Sequence, residues 1–343
     1  ELSKLISEDN MIACMKDLGN KYINEYTSVG FKILEKGNNM AILGLLEYAI
    51  ETGRNHFITT SIEHKSVLEA MKYLKKHGCV VDFVAPDETG RININELVEA
   101  IRPETILISI MMVNNEIGTV QPIKEAASIA KAHNILFHTD AVQALGNVAI
   151  DVKDMGIDLM SMSSHKIYGP KGSGALYIRK GVRISNYLHG GGQESKKRAG
   201  TENLPGIVGF GKAAELSKVN FAEHVKHCSE LRDYLKDRIL NEIPDTYVNG
   251  TLDGRHPGNL NITFKYIEGE SILLLLNQFG INVSTGSACS STSLNPSHVL
   301  SALGVPVEMI HGTIRFTIGD FTTKEDVDYV VEKLTMIVTR LRE

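Results

Sequence analysis

The feature that most restricts the fold of this chain is a repeated alternation of apolar strands and amphipathic helices from about residue 38 onward. The runs "HFITTSI", "TILISIMMV" and "ILFHTDA" are short and mostly apolar, which is typical of buried strands. The segments "NNMAILGLLEYAIETG", "KSVLEAMKYLKKHG" and "IKEAASIAKAHN" each have the apolar spacing of one helix. Because parallel strands need crossover helices, the pattern predicts a mostly parallel sheet covered on both faces.

The pattern changes after about residue 220. A long amphipathic helix, "FAEHVKHCSELRDYLKDRIL", is followed by the strands "GNLNITF" and "GTIRFTIG", with the buried helix "GESILLLLNQFG" between them. The chain closes on the helix "TKEDVDYVVEKLTMIVTRL". We therefore expect two domains: a large one over residues 1–220, and a smaller α+β domain over 221–343 that carries the loop "STGSACSSTS".

Composition excludes several classes of function. A net charge of −5 and a pI of about 6.2 give no basic surface that would indicate nucleic-acid binding. No apolar run is long enough for a membrane span, and no signal-peptide pattern is present. Cysteines are too few and too widely spaced for a disulfide scaffold or a CxxC site: they are Cys14, Cys79, Cys228 and Cys289. We expect a reducing, cytoplasmic compartment.

Chemically active side chains follow four of the predicted strands. Open parallel sheets bind ligands outside the carboxyl ends of their strands, so these positions form the candidate site. They are Glu63 and His64, then Asn114 to Glu116, then Asp140 and Gln143, and finally Ser163 to Lys166.

The stretch "SSHKIYGPKGSGALY" contains two lysines with different contexts. Lys171 lies among glycines in a sequence that does not fit a Walker loop, and we interpret it as a turn residue. Lys166 follows a strand end, where partial burial and nearby cations lower the pKa of an amine and favour imine formation with an aldehyde cofactor.

Other candidates have a structural alternative beside the functional one. Asp140 could protonate a pyridine nitrogen, cap a helix that starts near Val142, or join His138 as a metal ligand. His64 could stack on a planar cofactor, act as an acid–base group, or simply begin a helix. Asn115 and Gln143 could donate to a ring oxygen or cap a loop.

Four further features lie nearer the carboxyl end. The loop "HGGGQESKKRAGTEN" combines glycines, cations and Thr201, which suits a phosphate or a solvated surface. Small residues around Cys289 favour an accessible nucleophile. Arg315, in an apolar strand, requires a partner such as a substrate carboxylate or a structural acid. The turn "HVKHC" offers a metal site at His224, His227 and Cys228, although we favour an ordinary exposed face and predict no metal.

These segments, taken in order, resemble the cysteine desulfurases of the NifS/IscS type, which are fold-type I pyridoxal-phosphate enzymes of the class V aminotransferase group. The resemblance covers about residues 38–343 and rests on "IEHKSVL", "NNEIGTVQPI", "FHTDAVQALG", "SSHKIYGPKGSGALYIRKG", "HGGGQE", "RAGTEN", "STGSACSSTSLNPSHVLSALG" and "IRFTIGDFTT". It implies an α/β fold: a large cofactor-binding domain with a mostly parallel seven-stranded sheet flanked by helices, and a smaller α+β C-terminal domain.

The resemblance also implies a role for each candidate residue. Pyridoxal 5′-phosphate would bond covalently to Lys166, under a stacked His64, with Asp140 on its ring nitrogen. The remaining contacts to the cofactor would come from Asn115, Gln143, Ser163, His165 and Thr201. Thr201 would reach the phosphate of the neighbouring subunit, which implies an obligate homodimer. Arg315 and Asn115 would bind the substrate, and the catalytic set would be Lys166, Cys289 and His64.

The activity implied is conversion of L-cysteine to L-alanine, with a persulfide on Cys289 whose sulfur passes to an iron–sulfur cluster scaffold or another acceptor. A selenocysteine lyase or another class V enzyme is the enzymatic alternative, and the small-residue loop around Cys289 argues against it. A non-catalytic scaffold on the same fold is the alternative from a different class.

The amino-terminal region departs from the family. A Ser-Gly-x-Thr-Glu-Ser turn should bind the phosphate just before Asn38, yet "FKILEKG" stands there and only Gly37 fits it. Residues 1–37 are therefore atypical or incomplete. We expect stretches to be missing before "NNMAI", so that the intact mass would exceed 37.7 kDa.

Overall fold

One seven-stranded sheet organises the first part of the chain, with its central strands parallel as the alternating pattern predicts. The computed structural model describes residues 31–32, 37–186, 188–286 and 296–343. The strands are β1 (Phe31–Lys32), β2 (His56–Thr60), β3 (Val80–Val84), β4 (Thr105–Ser109), β5 (Leu136–Asp140), β6 (Leu159–Ser163) and β7 (Gly174–Ile178). Their order across the sheet is β1-β7-β6-β5-β4-β2-β3. Strands β2 to β6 run parallel to one another. At one edge of the sheet, β7 pairs antiparallel with β6, and β1 pairs antiparallel with β7.

Burial shows that both faces of this sheet are covered. Every residue of β2 and β4 is buried, which a sheet with one solvated face cannot achieve. The helices of this part are α1 (Gly37–Leu43), α2 (Leu46–Thr52), α3 (Lys65–Lys76), α4 (Ile94–Glu99), α5 (Ile123–Ala132), α6 (Gln193–Lys196) and α7 (Leu204–Val219). The predicted α/β class is confirmed.

The single helix predicted over residues 38–53 is wrong, because two helices meet at Gly44 and Leu45. The carbonyl of Gly44 accepts a hydrogen bond from Ser185 N at 2.7 Å, so it is diverted from the helical ladder. A Cβ at Gly44 would also lie 2.5 Å from Met40 O. The break thus comes from a tertiary contact that helical spacing does not reveal.

Contacts divide the chain into two compact units. The first contains the residues up to Val84, Ile94–Met112 and Pro122–Phe221, and the second contains Ala85–Asn93, Val113–Gln121 and Ala222–Glu343. The short segment Val113–Gln121 joins the second unit through specific bonds. Its Glu116 carbonyl accepts from Asn259 Nδ2 and Asn261 Nδ2 at 3.2 and 3.1 Å.

The second unit is built on a three-stranded antiparallel sheet in the order β10-β9-β8. Its elements are α8 (Phe221–Glu242), β8 (Thr246–Val248), β9 (Asn259–Phe264), α9 (Gly269–Gln278), α10 (His298–Ala302), α11 (Val307–Ile310), β10 (Thr313–Thr317) and α12 (Lys324–Arg342). Helix α9 is only half-buried, contrary to the predicted buried helix: Ile272 and Leu276 face the core, while Leu274 is 58% exposed. No helix among the described residues could cross a membrane.

The core of the second unit gives a stability prediction. Phe264 is fully buried in a cluster with Ile262, Ile314 and Leu276, whereas Phe321 is 84% exposed. Phe264→Ala removes a buried ring and leaves a cavity, which costs about 3–5 kcal/mol. We expect a large fall in the urea unfolding midpoint for Phe264→Ala and almost none for Phe321→Ala. Equal midpoints for the two variants would contradict the placement of Phe264 in this core.

Candidate functional site

The predicted site residues are distributed between the two units. The first unit contains His64, Asp140, Gln143, Ser163, His165, Lys166 and Thr201, and the second contains Asn115 and Arg315. Cys289 lies outside the described residues, as do Cys14 and the predicted join before Gly37. The site residues of each unit are therefore described separately.

Asp140 is the buried anion of the first unit. It ends β5, its exposure is 5%, and its Oδ2 accepts a hydrogen bond from Asn38 Nδ2 at 2.6 Å. Its Oδ1 accepts from Val142 N at 2.9 Å, but residues 142–147 form turns and not the helix that one alternative required. Both partners are uncharged donors, and no ion pair reaches this carboxylate from the described residues.

Asn38 connects Asp140 to His64. Its amide nitrogen also donates to Ser66 Oγ at 2.8 Å, and that hydroxyl lies 2.8 Å from His64 Nδ1. One side-chain amide thus uses both its hydrogens to orient the carboxylate and, through Ser66, the histidine. Sequence reasoning named neither Asn38 nor Ser66 as a site residue. The only signal was an asparagine beside Gly37, at the start of a helical pattern.

The structure confirms that His64 begins a helix, whereas its contact with a cofactor stays a prediction. It is the N-cap of α3, and its Nδ1 accepts from Ser66 N at 3.2 Å. An accepting Nδ1 carries no hydrogen, so the neutral ring has its proton on Nε2. The cap therefore fixes both the position of the imidazole and its tautomer.

Glu63 is a second buried carboxyl group in the first unit. Burial and, to a smaller extent, the charge of Asp140 raise its pKa to about 8, against hydrogen bonds from Met111 N and Thr60 Oγ1 that lower it. At neutral pH Glu63 therefore carries a proton.

His138 is a structural histidine and not a metal ligand, which corrects that alternative for His138 and Asp140. It is completely buried, with Nδ1 2.8 Å from Ser109 Oγ and Nε2 3.0 Å from Ser161 Oγ. Burial lowers its pKa to about 3, so the ring stays neutral. Both ring nitrogens already have hydroxyl partners on the neighbouring strands, β4 and β6.

The stretch after β6 places its residues on a short 3₁₀ helix, Ser164–Ile167. Ser163 Oγ lies 2.7 Å from His165 Nδ1, and His165 and Lys166 are exposed. Burial lowers the pKa of His165, and the charges of Lys166 and Lys171 lower it further. Lys171 lies in an exposed turn. This cluster is a hydroxyl, a neutral imidazole and two ammonium groups, a combination that suits an anion.

In the second unit, Arg315 and Asn115 are in direct contact. Arg315 Nη1 donates to the carbonyl oxygen of Asn115 at 2.7 Å, which ties β10 to the segment Val113–Gln121. Ser284 pairs with the backbone of Arg315, and Ser297 Oγ donates to Glu116 Oε2 at 2.5 Å. The residues on both sides of the segment that carries Cys289 are therefore anchored in this unit.

Comparison with known proteins shows the family to which this chain belongs. The aminotransferase class-V family pattern matches residues 35–330. A solved structure described as a NifS-like protein superposes with a TM-score of 0.90 at 34% identity, covering 98% of this chain and 90% of its own. The chain belongs to the class-V aminotransferase family.

Relatives with higher sequence identity indicate which group of the class-V aminotransferase family the chain belongs to. The cysteine desulfurase IscS of Dictyoglomus turgidum is 51% identical over 90% of this chain and 78% of its own length. That of Methanosarcina thermophila is 54% identical over 90% and 76%. Within the class, the chain is a member of the cysteine desulfurases of the IscS type, whose cofactor is pyridoxal 5′-phosphate.

The residues of the first unit fit this cofactor. The Asp140 carboxylate is 5% exposed and has only neutral donors among the described residues, and a protonated pyridine nitrogen would supply a cationic partner. Asn38 Oδ1 is also buried and accepts no hydrogen bond from the described residues. The phosphate would suit the hydroxyl and imidazole at Ser163 and His165.

The protonated Glu63 predicts a pH dependence of stability. The folded-state pKa of about 8 exceeds the ordinary value of 4.5, so the folded chain binds more protons between these pH values. The stability advantage of Glu63 over Glu63→Gln should therefore shrink as pH rises from about 4.5 to about 8, and stay constant outside that window. Urea unfolding midpoints measured across pH test this. The control is Glu69→Gln on the exposed side of α3, which should track the parent; a parallel course for Glu63→Gln would contradict the prediction.

Proposed function

We propose that this chain converts L-cysteine to L-alanine, with a persulfide formed on Cys289 and its sulfur then passed to an acceptor. The observation that carries the proposal is the Asn38–Asp140–His64 arrangement. It presents an uncompensated buried carboxylate beside a histidine of fixed tautomer. Identities of 51% and 54% to cysteine desulfurases support the choice of substrate.

We assign the cofactor to the site residues that the resemblance implies. Asp140 would hold a proton on the ring nitrogen and His64 would lie against the ring, while Lys166 would bind the aldehyde carbon. Further contacts would come from Asn115, Gln143, Ser163, His165 and Thr201. When bound, pyridoxal 5′-phosphate supplies an electron sink for the pair of electrons that the departing Cα proton leaves behind.

The remaining steps belong to side chains. Arg315 would bind the carboxylate of cysteine through its guanidinium, whose fork matches a carboxylate. The amine of Lys166 would accept the Cα proton. The Cys289 thiolate would attack the substrate sulfur: a sulfur–sulfur bond forms, the bond from sulfur to Cβ breaks, and Cβ keeps the electron pair and takes up a proton. Lys166 would then return a proton to Cα. Alanine leaves, and Cys289 carries the persulfide.

Several finer features belong to the same proposal. Thr201, which is exposed, would reach the phosphate of a second copy of the chain, making the active form a homodimer. The sulfur acceptor would be an iron–sulfur cluster scaffold or another thiol protein in the cytoplasm, where thiols stay reduced. A selenocysteine lyase would not need the Cys289 thiol, so the requirement for that thiol separates the two activities.

The role of Cys289 predicts a selective loss of activity. Cys289→Ser should lower cysteine-dependent sulfide release at least about a hundredfold, because a hydroxyl is a poor nucleophile toward sulfur. Alanine and sulfide are measured with the cofactor-loaded protein and a reducing thiol. Cys79→Ser is the control, since Cys79 is buried and its pKa is raised by burial. Sulfide release at the full rate from Cys289→Ser would contradict the acceptor role.

The Asn38 amide predicts an effect on cofactor affinity. Asn38→Ala removes one hydrogen bond to an ionised carboxylate and releases Ser66, so the Kd for pyridoxal 5′-phosphate should rise about tenfold. The neighbouring Asn39 is a matched control because its amide donates to the Ser66 carbonyl at 3.0 Å instead. Absorbance titration of the cofactor-free proteins gives both values. Equal affinities for Asn38→Ala and Asn39→Ala would contradict the bridging role.

A further inference from the structure

Three side chains of the second unit direct potential metal-binding atoms toward one point. His224 and Cys228 lie one turn apart on α8, and Asp320 follows β10. Their ligand atoms all lie within 4.8 Å of one another. The sequence had indicated His224, His227 and Cys228 as candidates, but His227 Nε2 lies 2.9 Å from the Thr322 carbonyl oxygen. Asp320 takes its place in the cluster.

The contacts converge on a single nitrogen. Cys228 Sγ lies 3.7 Å from His224 Nδ1, and Asp320 Oδ1 contacts the same Nδ1. The three atoms are an imidazole nitrogen, a sulfur and a carboxylate oxygen, and each has a lone pair that can bind a metal ion. A cation between them would use all three as electron-pair donors.

The donor set and the spacing indicate which cation would fit. Tetrahedral zinc with bonds of about 2.3 Å to sulfur and about 2.0–2.1 Å to nitrogen separates those two atoms by about 3.6 Å. The observed separation of 3.7 Å agrees with this value. The Asp320 side chain is 40% exposed, so it can move outward to a bonding distance, while His224 is only 16% exposed.

We propose that His224 Nδ1, Cys228 Sγ and an Asp320 carboxylate oxygen bind a zinc-like divalent cation, with water in the fourth position. The Cys228 proton leaves to solvent as the sulfur–metal bond forms, and the imidazole binds in its neutral form. Burial raises the pKa of Cys228 to about 11, so without a metal this thiol stays protonated and unreactive. The cation would join the first turns of α8 to the segment between β10 and α12.

Cobalt(II) is the probe, because its thiolate charge-transfer and ligand-field bands report sulfur ligation and tetrahedral geometry. The full-length, cofactor-loaded chain with Cys289→Ser, freshly reduced, is titrated with CoCl₂ and then with ZnCl₂. We expect one cobalt per chain with a thiolate band that zinc displaces. Zinc should also raise the thermal unfolding midpoint of this parent.

Variants on this background separate the cluster from other thiols. Cys228→Ser should abolish the thiolate band, and Asp320→Asn should weaken cobalt binding at least about tenfold. Cys79→Ser, which removes another buried thiol, should bind cobalt like the parent. If Cys228→Ser fails to fold, Asp320→Asn at the exposed edge decides the question. The proposal is overturned if the parent shows no thiolate–cobalt band, or if Asp320→Asn binds cobalt as tightly as the parent.

Discussion

The hydrogen bond from the Asn38 amide to the Asp140 carboxylate is the interaction on which the described part of the cofactor site depends. It joins α1 to the end of β5, and the carboxylate has neutral donors only in the part of the chain that the structure describes. Through Ser66 the same amide also orients His64. Asp140, the proposed partner of the ring nitrogen, and His64, the proposed stacking residue, therefore share one hydrogen-bonding partner, and neither can shift without disturbing the other.

The sheet and its ligand-binding edge were predictable because both follow from local pattern. Apolar runs identify β2 to β6, and parallel strands bring their carboxyl ends together, so Asp140 and His64 emerged as candidates. Asn38 was not predicted as a site residue, because its partner Asp140 lies 102 positions away and the sequence around Asn38 does not indicate that contact. The break at Gly44 was missed for the same reason, since Ser185 causes it.

Sequence order also conceals how the second unit is assembled. Asn115 follows β4 in the chain, yet its segment packs with strands that come much later, through Glu116 and Asn261 and through the Thr119–Arg255 bridge. The sequence predicted a single domain boundary at residues 220 and 221, and a single boundary cannot assign the earlier segment Val113–Gln121 to the second unit. This placement of the segment has a functional meaning, since Arg315 and Asn115, both assigned to the substrate, are brought into contact by it.

The shortness of α1 has a consequence for how the protein responds to its cofactor. A helix of seven residues, Gly37–Leu43, is not stable by itself, so its order depends on contacts such as those of Asn38 with Asp140 and Ser66. A ligand that binds next to Asp140 favours the ordered helix by mass action. Binding of that ligand and folding of α1 are then one cooperative event. The rate of hydrogen exchange at the α1 amides would therefore report the fraction of the protein that carries the ligand.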